Sequence, residues 1–155
     1  MDWRVINDFD QYHIYQDGRV WSCRRKILLK TQTNRHGYKF VILCKDKVRV
    51  SKKIHRLVAL HFINNLDNKP YVDHIDRDKT NNMYWNLRWA TRSENNFNVG
   101  VRKDNKVGQK YIRWRKDSNK FRVVIQKYHI DIQFKTLDEA IEYRNETCKE
   151  LNLVY

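Results

Sequence analysis

The sequence predicts an α+β chain of 155 residues in three modules. These are a basic β-rich part with a helix (1–62), a strand–loop–strand–helix centre (63–98), and a three-stranded sheet with a helix (110–155) behind a charged linker (99–109). Three observations lead there. Charge comes in blocks: residues 18–58 carry 13 Lys and Arg against Asp46 alone, 72–99 carry four of each sign, 101–135 carry 11 against 3, and 136–155 carry 2 against 5. Strand-like runs are short, β-branched or aromatic, and separated by polar turns. Helix signals appear three times, each time behind such strands.

In the first module, Tyr12–Val20 reads as short strands around the turn Asp17-Gly18. The runs Tyr38–Lys45 (YKFVILCK) and Val48–Ser51 read as a hairpin closed at Lys45-Asp46-Lys47. Ile54, Leu57, Val58 and Phe62 then recur at helical spacing, predicting a helix over Ile54–Ile63. Arg24, Arg25, Lys26, Lys30, Arg35 and Lys39 form a basic cluster expected on a two-stranded ribbon. A ribbon of that width fits the DNA major groove, where guanidinium groups meet either phosphate or guanine edges. The sequence leaves these two uses open. Lys52 and Lys53, leading into the helix, are expected at the nucleic-acid backbone.

The neutral centre has two apolar runs, Tyr71–Ile75 and Leu87–Ala90, around a loop rich in Asp and Asn. Thr91 and Glu94 stand at capping-box spacing and predict a helix start. This order lets Asp73, His74 and Asn95 meet at one point. A carboxylate and an amide oxygen are hard ligands suited to Mg²⁺ or Mn²⁺. An imidazole titrates near neutrality and can take a proton from water without joining the metal. Together they supply a base and a cation for phosphodiester hydrolysis. Asp76 and Asp78 are expected to be solvated loop residues, His55 and His61 to be satisfied structural histidines, and Trp85 and Trp89 to pack rather than stack on bases.

In the last module, Lys110–Lys116, Lys120–Lys127 and His129–Phe134 alternate with period two. One face collects Ile112, Trp114, Phe121, Val123, Ile125, Ile130, Ile132 and Phe134. The other collects Arg113, Arg115, Arg122, Val124, Gln126 and Gln133. Thr136 and Glu139 open a helix whose Leu137, Ala140, Ile141, Cys148 and Leu151 are expected to cover the apolar face.

Composition narrows the classes further. The net charge is +14 and aromatic residues make up 13%, too many for a disordered basic tail. Cys23, Cys44 and Cys148 are too few and too scattered for a disulfide framework or a structural zinc site, and a reducing compartment is expected. No apolar run suits a membrane span, and Met1-Asp2-Trp3-Arg4 lacks the apolar stretch of a signal peptide. The expectation is a cytoplasmic protein whose partner is nucleic acid.

The runs HRLVALHF, VDHIDRDKTNN and WNLRWATRSENN resemble the HNH nucleases, particularly the phage and intron-encoded homing endonucleases. That resemblance implies a ββα-metal (His-Me finger) core. His74 then matches the general base, Asp73 a metal ligand, and Asn86 the middle residue that braces the loop. Asn95 takes the third position, His in one branch of the family, with Asn96 as an adjacent competitor. Two protein ligands remain for one divalent ion, Mg²⁺ or Mn²⁺, with no small-molecule cofactor. Trp3, Tyr15-x-x-Gly18-Arg19-Val20-Trp21, Gly37-Tyr38 and His55-Arg56-Leu57-Val58 resemble the small module that precedes HNH domains in these enzymes. YIRWR, KFRVVI and FKTLDEAIEYRNE resemble the plant ethylene-response-factor DNA-binding domain, in which arginines at the positions of Arg113 and Arg115 touch DNA. Val124 and Gln126 depart from that family, so its target sequence does not carry over. The resemblance implies a metal-dependent, site-directed endonuclease that acts on double-stranded DNA as a monomer and nicks one strand. The rival reading is a DNA-binding regulator with an inactive HNH centre.

Overall fold

A computed structural model describes residues 2–153. The chain forms two compact units, one running to Asn96 and one starting at Phe97.

The first unit begins with an antiparallel sheet in the order β1 (Trp3–Ile6), β2 (Phe9–Tyr15), β3 (Val20–Ser22), β4 (Ile27–Leu28). The opening strand was not anticipated; Trp3 lies on it, stacked on His13 at 4.0 Å. A second sheet holds β5 (Gln32–Thr33), β6 (Lys39–Lys45) and β7 (Val48–Lys53). The expected hairpin is β6–β7, closed by Asp46 and Lys47, both at positive φ (50° and 65°). That backbone gives a two-residue turn whose twist matches the strands.

Helix α1 (Ile54–Phe62) follows β7 directly and buries Ile54, Leu57, Val58 and Ala59. Its inward face meets Ile6, Ile14, Val20, Val41 and Leu43 from the two sheets and Leu87 from the next hairpin. The expected modules 1–62 and 63–98 therefore draw on one apolar core. The hairpin pairs β8 (Tyr71–His74) with β9 (Leu87–Ala90), and α2 (Arg92–Phe97) follows. Its start carries the anticipated capping box: Glu94 N donates to Thr91 Oγ1 at 3.2 Å, and Thr91 N to Glu94 Oε2 at 2.7 Å.

The second unit is the antiparallel sheet β10 (Ile112–Arg115), β11 (Lys120–Ile125), β12 (Ile130–Phe134) with α3 (Leu137–Glu150). Cross-strand rows Ile112–Val123–Ile132 and Trp114–Phe121–Phe134 make the apolar face. Ala140 and Cys148 of α3 complete a core with Ile112, Val123 and Ile125. The helix covers that face incompletely, since Trp114 and Ile132 remain 41% and 39% exposed. Gln126 was expected on a strand but opens a 3-10 turn, Gln126–Tyr128, because the chain reverses there through His129 at φ 54°. Arg144, which the sequence reading passed over, is buried and donates to the Lys110 carbonyl (3.1 Å) and to Gln109 Oε1 (2.9 Å).

Among the described residues, no helix is long and apolar enough to cross a membrane.

Candidate active site

The β8–β9 hairpin places Asp73 opposite Arg88 and His74 opposite Leu87. Asp73 and His74 end β8 side by side, both buried. A charged residue is buried only with partners, and Asp73 has one: Arg88 donates through Nε (3.0 Å) and Nη2 (2.8 Å) to Asp73 Oδ2.

The loop between the strands is held by Asn86, buried where a short 3-10 turn enters β9. Asn86 Oδ1 accepts from Asp76 N at 3.0 Å, and Asn86 Nδ2 donates to Asp76 Oδ1 and to the Asn81 carbonyl, each at 2.9 Å. The main chain adds Ile75 N to the Asn86 carbonyl at 2.8 Å. These bonds tie both ends of the loop together at the residue after His74. Burial pushes the Asp76 carboxyl up. Hydrogen bonds from Asn86, Asn81 and the Asp78 backbone outweigh it and hold the group below its ordinary value. Asp78 is held low by the backbone and side chain of Thr80. Both carboxylates thus serve as loop acceptors.

One residue that the sequence reading missed orients the base. His74 Nε2 lies 3.2 Å from Asn82 Oδ1, and Asn82 Nδ2 donates to the Thr80 carbonyl at 3.0 Å. An amide whose nitrogen is spent as a donor presents its oxygen to the imidazole, so Nε2 carries the hydrogen. The neutral ring then has its basic lone pair on Nδ1. Asn82 is itself pinned by Gly18 at the β2–β3 turn (φ 85°). A Cβ built there would lie 3.1 Å from Asn82 Cβ and 2.7 Å from Ile54 Cγ2.

Two rings meet at the base. His55 of α1 lies edge-on to His74 with centroids 5.2 Å apart, and Tyr38 stands 4.9 Å from His55 and 6.0 Å from His74. Lys53 and Lys79 sit over Tyr38, their ammonium nitrogens 5.4 Å and 4.8 Å from its ring centre. His61 is satisfied as expected, its Nδ1 against the Leu57 carbonyl (2.7 Å) and its Nε2 accepting from Asn7 N (3.1 Å). His55 is not: its buried Nδ1 has no hydrogen-bond partner. Burial first, then His74, Lys53 and Arg56, lower its pKa to about 3.

Asn95 stands half-buried in α2, its backbone N–H on the Thr91 carbonyl at 3.0 Å, and Asn96 is exposed. The start of that helix is tied to the rest of the unit by Glu94 and Lys69, 3.0 Å apart. Hydrogen bonds from the Thr91 backbone and Lys69 lower the Glu94 pKa to about 2. Among the described residues no three His, Cys, Asp or Glu side chains cluster for a metal. Asp73 and Asn95 offer instead a carboxylate and an amide, donors that suit a hard divalent cation. The Arg88 guanidinium on Asp73 marks that carboxylate as one already balanced by a cation.

The basic residues do not share one ribbon. Arg24, Arg25 and Lys26 lie in the turn joining β3 to β4, Arg35 lies in the turn between β5 and β6, and Lys39 starts β6. Lys52 and Lys53 end β7, which runs two residues beyond the strand end expected at Ser51 and leads straight into α1. In the second unit Arg113, Arg122 and Gln133 form one cross-strand row. Arg122 is ion-paired with Asp131 and Arg115 with Asp117 (2.7 Å), whereas Arg113 has no ion pair among the described residues. Trp89 packs as expected, donating Nε1 to the Ile63 carbonyl at 3.0 Å. Trp85 does not pack inward: it is 59% exposed, edge-to-face with Tyr84.

Comparison with known proteins gives the same region a family. Residues 52–97 match the HNH endonuclease family model, and residues 1–44 match the NUMOD4 motif. An uncharacterized HNH endonuclease of Acanthamoeba polyphaga mimivirus is 43% identical over 90 residues, 58% of this chain and 27% of that protein. The DNA endonuclease I-HmuI of Bacillus phage SP01 is 35% identical over 96 residues, 61% of this chain and 55% of that protein. The chain thus spans between about a quarter and just over half the length of these curated relatives. A solved structure described as DNA binding and cleavage by the HNH homing endonuclease I-HmuI superposes with a TM-score of 0.60 at 28% identity. It covers 99% of this chain and 85% of that one.

Proposed function

The chain belongs to the HNH endonuclease family, and from that premise we propose that it is a metal-dependent, site-directed DNA endonuclease of the homing type. One observation supports this most directly. A buried histidine, oriented by a fixed amide 3.2 Å away, sits beside a buried carboxylate on a hairpin whose loop is clamped by Asn86.

His74 acts as general base: with Nε2–H held by Asn82, Nδ1 takes the proton from the water that attacks the scissile phosphate in line. Asn86 holds the loop that follows the base, so that the ring does not drift from the attack line. A single divalent ion, Mg²⁺ or Mn²⁺, held by Asp73 and Asn95 would supply positive charge for the phosphate and the leaving oxygen. Arg88 must share Asp73 with that ion. One such centre nicks one strand.

The partner is double-stranded DNA, engaged by a monomer in the cytoplasm of a phage-infected or bacterial cell. Arg24, Arg25, Lys26, Arg35, Lys39, Lys52 and Lys53 reach phosphates from the first unit, and Arg113, Arg115 and Arg122 from the second. We assign the second unit the binding mode of the ethylene-response-factor domain, with Gln126 at the rim of its sheet.

The rival reading, a DNA-binding regulator with an inactive centre, draws on the same Arg88–Asp73 contact, because a guanidinium that never leaves the carboxylate would keep a metal away. Conversion of supercoiled plasmids bearing phage-genome fragments separates the two. Wild type with Mg²⁺ or Mn²⁺ is expected to give nicked product, whereas EDTA or His74→Ala abolishes it and leaves affinity within a few-fold. Tight, salt-sensitive binding with no product from any fragment would favour the regulator.

A further inference from the structure

The hydrogen bond to Asn82 fixes one atom of the His74 ring, and the side chains packed against the ring bear on its plane. That plane matters, because proton abstraction needs the Nδ1 lone pair aimed at the water. The neighbour in place is His55, 5% exposed, with its ring 65° from the His74 plane and the centroids 5.2 Å apart. Tyr38 closes the trio behind it.

His55 is a poor choice for a residue that merely fills the core. Leu57 and Val58 on the same helix bury no polar atom, while His55 keeps Nδ1 inside with no partner. Aliphatic replacement would remove that penalty, so the flat polar ring stands where branched carbon would pack more cheaply. The charged groups around it are His74 from β8, Lys53 from the end of β7 and Arg56 from α1. Burial, together with the Lys53 and Arg56 cations, keeps the His55 ring neutral.

We propose that His55 is a positioning residue for the reaction at His74: its imidazole, packed edge-on against the base, sets the plane of the His74 ring. This rests on the nuclease reading, and its test has one arm that does not. His55→Leu fills the space without a flat ring; His55→Phe restores the ring without the nitrogens.

The first arm records ¹H–¹⁵N imidazole spectra of the full chain without DNA. Wild type is expected to show His74 as the single Nε2–H tautomer. His55→Leu is expected to shift and average that signal, and His55→Phe to restore most of it. The second arm measures single-turnover cleavage and DNA affinity. His55→Leu is expected to cut at least tenfold more slowly with Kd within twofold of wild type, and His55→Phe to regain several-fold of the loss. An unchanged His74 spectrum in His55→Leu overturns the proposal. So does a rate loss that follows thermal stability equally in both variants. Should His55→Leu not fold, His55→Gln, polar but without a ring, takes its place under the same criteria. If wild type itself never cuts, the nuclease reading fails while the spectra still decide whether His55 orients His74.

Discussion

Asn82 accepts at Oδ1 from Nε2 of His74 across 3.2 Å while spending its own nitrogen on the Thr80 carbonyl. The amide therefore works in one orientation only, and the tautomer of the base follows from a loop residue eight positions away. Replacing Asn82 with Leu keeps the volume and deletes the acceptor. Turnover is expected to fall roughly 10- to 100-fold, as for loss of a group that orients a general base. Substrate affinity should stay within twofold, which gel-shift titration beside single-turnover kinetics will show. Equal losses in rate and affinity would contradict the orienting role.

Gly18 packs against the Cβ of the same asparagine. At φ 85° it has no room for a Cβ, which would meet Ile54 Cγ2 at 2.7 Å. Gly18→Ala is expected to lower stability by about 1–3 kcal/mol through overpacking and backbone strain. Thermal melts would reveal the loss. Activity should drop further than the folded fraction, because Asn82 is displaced with it.

Acid should weaken the first unit well before its carboxylates protonate. The His55 pKa is about 3 in the fold and 6.5 when unfolded, so the unfolded chain binds the proton more readily between those values. Stability from the neutral ring is full above pH 6.5 and is lost as pH falls toward 3, by up to about 1.4 kcal/mol per unit. Urea midpoints at pH 7, 6, 5 and 4 should decline in wild type and decline less in His55→Leu. Parallel curves would show that His55 is not buried neutral.

The three sheet arginines should contribute unequally to binding. Arg115 and Arg122 must loosen ion pairs with Asp117 and Asp131 before they meet phosphate, whereas Arg113 has no ion pair to break among the described residues. Arg113→Ala is expected to cost more affinity than Arg115→Ala. It should also lower the slope of log K against log salt by about 0.9, one phosphate contact. Anisotropy titrations from low to moderate salt measure both, and identical slopes for all variants would place the sheet away from DNA.

The elements were legible because their signals are local. β-Branched and aromatic runs around a polar turn mark β6 and β7, and period-two alternation marks the three strands of the second unit. The pairs Thr91–Glu94 and Thr136–Glu139 announce their helices through bonds that span three residues. The order Asp73, His74, Asn86 was equally readable, since one hairpin carries all three. Gln126 and the basic cluster misled for a related reason: residue type shows neither where a strand stops nor which of two sheets a turn joins. The partners of each polar side chain were decided by tertiary structure alone. Asn82 reads as a loop asparagine and His55 as a satisfied helix histidine, and Arg144 carries no signal of its own, until distant segments close around them. A polar group in an isolated segment is paired with water. Only when the fold removes that water does its hydrogen-bond partner, or the lack of one, become a property of the protein.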